Sequence, residues 1–200
     1  MSIVVEHDKR KNTILEKALD VFMDEGFEDA TFQKIADRCR ITRTTLYLYF
    51  NNKKEIFSYS IKLLLLKVEE SIRRIQADTH INSIEKITNV LLDIINQLQE
   101  NRRLLMVILD YLRYLSRSNL DPEIRVRRRT IRLRHILSSM IIEGIKKKEL
   151  APINIKIADD YLYSFIESAI YRLVVLKRDT VDELKGAAVQ AVEFLKNKQK

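Results

Sequence analysis

Thr31 and Thr42 are the residues whose type and position first suggest a chemistry. Each precedes a short run with helical spacing, Ile35 and Ala36 after the first, Leu46 and Tyr47 after the second. A threonine in that position caps a helix by accepting a backbone N–H. Two short capped helices joined by the tight connection Cys39-Arg40-Ile41, behind a longer helix, make a helix-turn-helix. The second helix of such a motif fits the DNA major groove, and capped helix starts aim N–H groups at phosphates. The expected chemistry is therefore recognition and not bond making. Cys39 is the single cysteine, and His7, His80 and His135 lie far apart, so no zinc-ligand spacing exists. The sequence holds no phosphate-binding glycine loop, no nucleotide fingerprint and no nucleophile motif. No catalytic residue, metal or cofactor is expected, and the chain does not read as an enzyme.

The elements that must position these residues read as helices throughout. The 200 residues include 3 Gly and 2 Pro, too few to punctuate a strand-and-turn fold, and the composition favours helix formers. Residues 1–8 lack periodicity and read as a loose tail. From Lys9 onward Ile14, Leu15, Ala18 and Phe22 recur at helical spacing, and Gly26 closes the segment. Asn52 starts a long helix, with Glu55 placed for a capping box, that runs to about Ala77. Apolar-periodic stretches follow at about 83–100, 102–118, 122–148, 155–178 and 180–197, with Pro122 behind Asp121 at a helix start. The fold class expected is all-α. It divides into a helix-turn-helix domain at residues 1–52 and a second helical domain at residues 53–200, for which the resemblance described next implies ligand binding and dimerisation. A net charge of +8 favours an anionic partner. The short, soon-charged N-terminus does not resemble a signal peptide, and no apolar run is long enough to span a bilayer. Both features point to the cytoplasm.

At this point a family resemblance becomes specific. The run Phe22-x-x-x-Gly26-Phe27-x-x-x-Thr31-x-x-x-Ile35-Ala36, continued by Ile41-Thr42-x-x-Thr45-Leu46-Tyr47-x-Tyr49-Phe50-x-x-Lys53-x-x-Ile56, resembles the DNA-binding domain of the TetR/AcrR family of transcriptional regulators over about residues 11–57. A looser echo is Glu143-Gly144-Ile145 near the end of a later helix. The resemblance implies DNA-backbone contacts at Thr31, Thr42, Thr45, Tyr47, Tyr49 and Lys53, whose hydroxyls and ammonium suit phosphate oxygens. It places Arg43, Thr44 and Leu48 on the recognition helix, with Gln33 as a further base-contact candidate. Arg43 has the fork to pair with guanine, and Leu48 suits a thymine methyl. Lys9, Arg10 and Lys11 are further candidates for backbone contact. Two positions depart from the family pattern. Arg40 and Thr44 stand where glycine is usual; at Arg40 either the arginine takes the positive φ that the turn favours, at a cost that a phosphate contact could offset, or the turn has a slightly different backbone.

The same resemblance implies a homodimer on a palindromic operator and a small-molecule inducer. The dimer seam is expected from Tyr161, Ser168 and Tyr171 and from the stripe Leu184, Ala188, Ala191 and Leu195. The pocket lining is expected from Leu91, Ile95, Met106, Asp110, Tyr111, Tyr114, Leu137, Phe165 and Glu167. The carboxylates of Asp110 and Glu167 interrupt apolar helices and need a cation, a hydrogen bond or a proton. Arg125, Arg127, Arg128, Arg129, Arg132 and Arg134 form either a solvated face or a site for an anionic ligand such as an acyl thioester's phosphates. The functional expectation is a sequence-specific repressor released from DNA by ligand. The alternatives are a regulator or activator that needs no ligand, and a basic helical adaptor at a membrane surface.

Overall fold

The structure, a computed structural model, describes residues 2–119, 122–178 and 181–196, and for 2–5 and 122–130 the backbone alone. Among the described residues the chain forms α1 (Ser2–Asp29), α2 (Phe32–Arg38), α3 (Arg43–Tyr47), α4 (Lys53–Ala77), α5 (Ser83–Glu100), α6 (Arg102–Arg117), α7 (Pro122–Lys146), α8 (Ile155–Ile170), a π-helical turn (Tyr171–Val175) and α9 (Val181–Glu193). They build two compact units, residues 1–66 with 103–122, and residues 67–102 with 123–200. Helix already includes Ser2, so the expected tail of residues 1–8 is corrected to the first turns of α1.

In the first unit, α1 presents Ile14, Leu15, Ala18, Val21 and Phe22 to the core at helical spacing. Gly26 breaks this helix with φ 80 and ψ 165, a conformation open in practice to glycine alone. The turn that follows carries Phe27 into an aromatic cluster with Phe22, Phe57, Tyr111 and Tyr114, ring centroids 4.5–6.2 Å apart. Leu104, Val107, Tyr111 and Leu115 of α6 belong to this same core. Met106, Asp110, Tyr111 and Tyr114 are thus parts of the first unit, whereas Leu91, Ile95 and Leu137 are fully buried core of the second. Asp110 is exposed, and its Oδ2 accepts the Phe27 N–H at 2.9 Å, so the hydrogen bond that its carboxylate needed comes from the chain itself. Glu167 is exposed and Phe165 partly so, and neither forms part of a closed apolar lining.

The second unit is organised around α5. Asn82 and Glu85 close a reciprocal capping box at its start. Its inner face buries Ile87, Val90, Leu91, Ile94, Ile95 and Leu98. The chief neighbour of α5 is α9, which buries Leu184, Ala188, Ala191 and Val192; the two alanines allow close helix approach. Leu184, Ala188, Ala191 and Leu195 are between 0% and 8% exposed within this one chain. Their expected place in a dimer seam is corrected: the stripe is the intrachain seam. Tyr161, Ser168 and Tyr171 are exposed. Arg134 of α7 pairs with buried Asp159 at 2.7 Å and with Asp160 on α8, while Arg132 meets Glu69 at 2.9 Å. Those two arginines are neutralised within the chain. The side chains of Arg125, Arg127, Arg128 and Arg129, and Asp121, lie outside the described residues.

Gly144 packs where a side chain has no room. A Cβ added there meets Leu150 Cδ1 at 2.7 Å and Ser83 Cβ at 3.0 Å. Gly144→Ala is therefore expected to cost about 1–3 kcal/mol through overpacking. Urea unfolding measures this, and Leu150→Ala in the same chain should return part of the loss. Equal stability of Gly144→Ala and the native chain would show that the contact is loose.

Candidate nucleic-acid interface

The head is assembled by local hydrogen bonds that its sequence encodes. Thr31 Oγ1 accepts the Lys34 N–H at 3.2 Å and so caps α2. At the other end, the Ile41 N–H donates to Ala36 O at 3.1 Å and the Arg40 N–H to Asp37 O at 3.0 Å. This paired closure requires a left-handed residue one step past the helix. That residue is Arg40, at φ 55. The turn keeps the backbone that glycine usually serves, and the arginine costs about 1 kcal/mol for it. Thr42 then caps α3, accepting the Thr45 N–H at 3.0 Å, and its hydroxyl also bonds the Thr45 hydroxyl at 2.8 Å.

The exposed surface of this motif is polar, with one apolar projection. Leu48 is 74% exposed, which nothing in core packing explains. Arg43 lies along α3, with Nη2 donating to the Tyr47 hydroxyl at 3.0 Å, and Tyr47 rests on Phe32 with centroids 4.8 Å apart. A shallow open groove is lined by Arg10, Gln33, Asp37, Arg40, Ile41, Thr42, Arg43 and Thr45. The structure thus brings Gln33, Thr42, Arg43 and Thr45 together, with Thr44, Tyr47 and Leu48 exposed on the same short helix or just past it. Thr31 is exposed at the far end of α2. Tyr49 is half-buried and stacks on His7, centroids 4.8 Å apart, which ties the first turns of α1 to the head.

Lys53 departs most from its expected role. Its Nζ donates to the carbonyl oxygens of Phe27 at 2.8 Å, Glu28 at 2.6 Å and Ala30 at 2.7 Å. All three protons of the ammonium are used inside the head, so its expected phosphate contact is corrected to a clamp on the turn after α1. Burial pushes this ammonium below the ordinary lysine value, against the raising effect of Asp29 and Glu28. Lys11 likewise turns inward, its ammonium 4.1 Å from the centre of the Tyr59 ring, while its neighbour Arg10 lines the groove. On α4, Asn52 Oδ1 accepts the Glu55 N–H, and Glu55 reaches back to the Asn51 N–H at 2.7 Å, one residue earlier than a capping box demands.

A helix-turn-helix with an exposed second helix, in an all-helical chain, defines a DNA-binding regulator. Residues 14–59 match the family model described as bacterial regulatory proteins, tetR family. Over 183 residues the chain is 25% identical to the fatty acid metabolism regulator protein of Bacillus subtilis, covering 86% of this chain and 91% of that one. It is 28% identical over 99 residues to the transcriptional regulator PksA of the same organism, a match that spans 48% of that protein's length. The fold is similar to that of the fatty acid degradation regulator FadR from Bacillus halodurans, with a TM-score of 0.69, 20% identity and coverage of 94% of this chain and 97% of that one. Residues 14–59 thus match the DNA-binding domain of the tetR family, and the chain is similar to TetR-type transcriptional regulators over most of its length. Among the described residues no helix is long and apolar enough to cross a membrane.

Proposed function

We propose that this protein is a dimeric repressor that holds a palindromic operator and releases it when a small ligand binds the helical part of the chain. The observation that carries the reading is the convergence of Gln33, Thr42, Arg43 and Thr45 on one open groove beside exposed Leu48. Arg43 is assigned to a guanine edge and Leu48 to a thymine methyl; the threonine hydroxyls and Tyr47 are assigned to the backbone. The functional division falls at the start of α4, with residues 1–52 reading DNA and residues 53–200 sensing and dimerising. The dimer face is assigned to Ile157, Tyr161, Ser168, Tyr171 and Val175, which are exposed along α8 and the π-helical turn. Two heads related by a two-fold axis meet half-sites roughly 34–36 Å apart, or a multiple of that distance. The ligand is assigned to the acyl-thioester class. The likeness to a fatty acid metabolism regulator over most of both chains supports it, as does the arginine-rich sequence of α7. Release requires the ligand to favour the DNA-free arrangement by several kcal/mol.

Footprinting on the DNA beside the protein's own gene tests the reading. A discrete protected palindrome is expected, lost on adding long-chain acyl-coenzyme A, and Arg43→Ala should relax the preference at one base pair per half-site by about 1–3 kcal/mol. Uniform coating of the duplex would overturn sequence-specific binding. Protection unmoved by acyl thioesters and free fatty acids alike would overturn the ligand. Unchanged preference in Arg43→Ala would overturn the residue's role.

A further inference from the structure

Arg40 is a residue of the head whose presence the fold itself does not explain. We propose that Arg40 is a DNA-backbone contact, its guanidinium gripping phosphate oxygens beside Arg10 on the same groove from which Arg43 reads a base; the inference rests on the reading of this surface as the DNA-binding one. The left-handed backbone at φ 55 would be met without strain by glycine, so the side chain is retained at a cost. Nothing inside the head repays that cost. Lys34 and Arg38, its neighbours on α2, are neutralised by Glu25 at 2.6 Å and Asp24 at 2.9 Å. Arg40 forms no ion pair among the described residues, and its side chain is exposed. It lines the groove with Arg10 from α1 and Arg43 from α3. The one carboxylate in that lining, Asp37, has Oδ1 hydrogen-bonded by the Gln33 amide at 2.8 Å. Three guanidiniums from three separate segments therefore face one open surface against a single carboxylate. A guanidinium fork matches the geometry of phosphate oxygens, and such a contact is independent of base sequence.

Because the contact is sequence-independent, it can be tested on a labelled mixed-sequence duplex of about two helical turns, titrated by fluorescence anisotropy over a range of salt. Arg40→Gly is expected to bind this duplex about fivefold to tenfold more weakly at moderate salt, with the slope of log affinity against log salt shallower by about 1 per head. The same substitution should raise the unfolding midpoint by a few degrees, since it relieves the turn. Stability and affinity then move in opposite directions, which a purely structural residue would not do. Arg40→Asn, which also tolerates the left-handed backbone, should lose affinity similarly, and Arg40→Lys should keep most of it. Native-like affinity and salt slope in both Arg40→Gly and Arg40→Asn would overturn the assignment while leaving the DNA-binding reading standing. Failure of the native chain to bind any duplex would remove that reading, and this inference with it.

Discussion

A Lys53→Met chain is expected to lose about 2–3 kcal/mol of stability in its first unit, while the salt slope of its remaining DNA binding stays that of the native protein. The ammonium donates to three carbonyl oxygens within 2.8 Å, at Phe27, Glu28 and Ala30. Phe27 and Ala30 are buried, so the oxygens released by the substitution gain little compensation from water. A hydrogen bond to a charged group contributes about 1.5–3 kcal/mol, and three on one ammonium add to less than their sum. The methionine keeps the stem but loses the ammonium's position 5.1 Å from the centre of the Phe27 ring. Phe27 is also held by Asp110 from the other side, at 2.9 Å. The turn after α1 is thus fixed by a cation from α4 and a carboxylate from α6. Loosening it should disturb α2 and α3 together and lower DNA affinity through the population of folded head. A phosphate-contacting lysine behaves differently: its loss leaves stability alone and makes the salt slope shallower by about 1. Urea unfolding and a salt series on one duplex separate the two. Unchanged stability with a shallower slope would return Lys53 to the DNA surface.

The helices were legible because their signals are local. The spacing of apolar residues and the caps at Thr31, Thr42 and Asn52 depend on neighbours within one or two turns, and α5 begins and ends where the pattern places it. The turn at Arg40 was legible in part: the sequence left open whether arginine changes the backbone there, and the structure keeps the left-handed geometry at φ 55. Partners distant in sequence were not legible. An apolar stripe at Leu184, Ala188, Ala191 and Leu195 tells that a face is covered but not by what, and α5 of the same chain covers it. A lysine in a DNA-contact motif reads as a phosphate ligand until the carbonyls of the α1 turn appear beside it. Asp110 read as a polar intrusion into a ligand pocket because its donor, the Phe27 N–H, is 83 residues away. Residues 2–8 give no clear apolar periodicity, yet the helix includes them, and His7 stacked on Tyr49 is a described ring contact with the head.

The covering of the second apolar face leads to the other large effect. Tyr161→Asp combined with Tyr171→Asp is expected to turn the proposed dimer into a monomer and to weaken binding to a duplex with both half-sites by at least about 100-fold. Ile157, Tyr161, Tyr171 and Val175 are all more than 40% exposed, and Ser164 and Ser168 lie between them on the same face. Single exposed apolar residues are ordinary, but a continuous stripe of them with small residues between is the surface of an unfilled helix seam. A two-fold axis brings such a face against its own copy, so each substitution acts twice and buries four carboxylates without cations. These side chains are exposed in the single chain and lie outside the first unit, so helicity and the unfolding of that unit should be unchanged. The affinity falls because two linked heads bind the second half-site at an effective concentration near millimolar, and free heads lose that advantage entirely. Sedimentation together with titration on one-half-site and two-half-site duplexes resolves the cause: the doubly substituted chain should bind both equally. A chain that still sediments as a dimer would place the twin on another surface, and exposed Phe194 at the end of α9 would be the next residue to change.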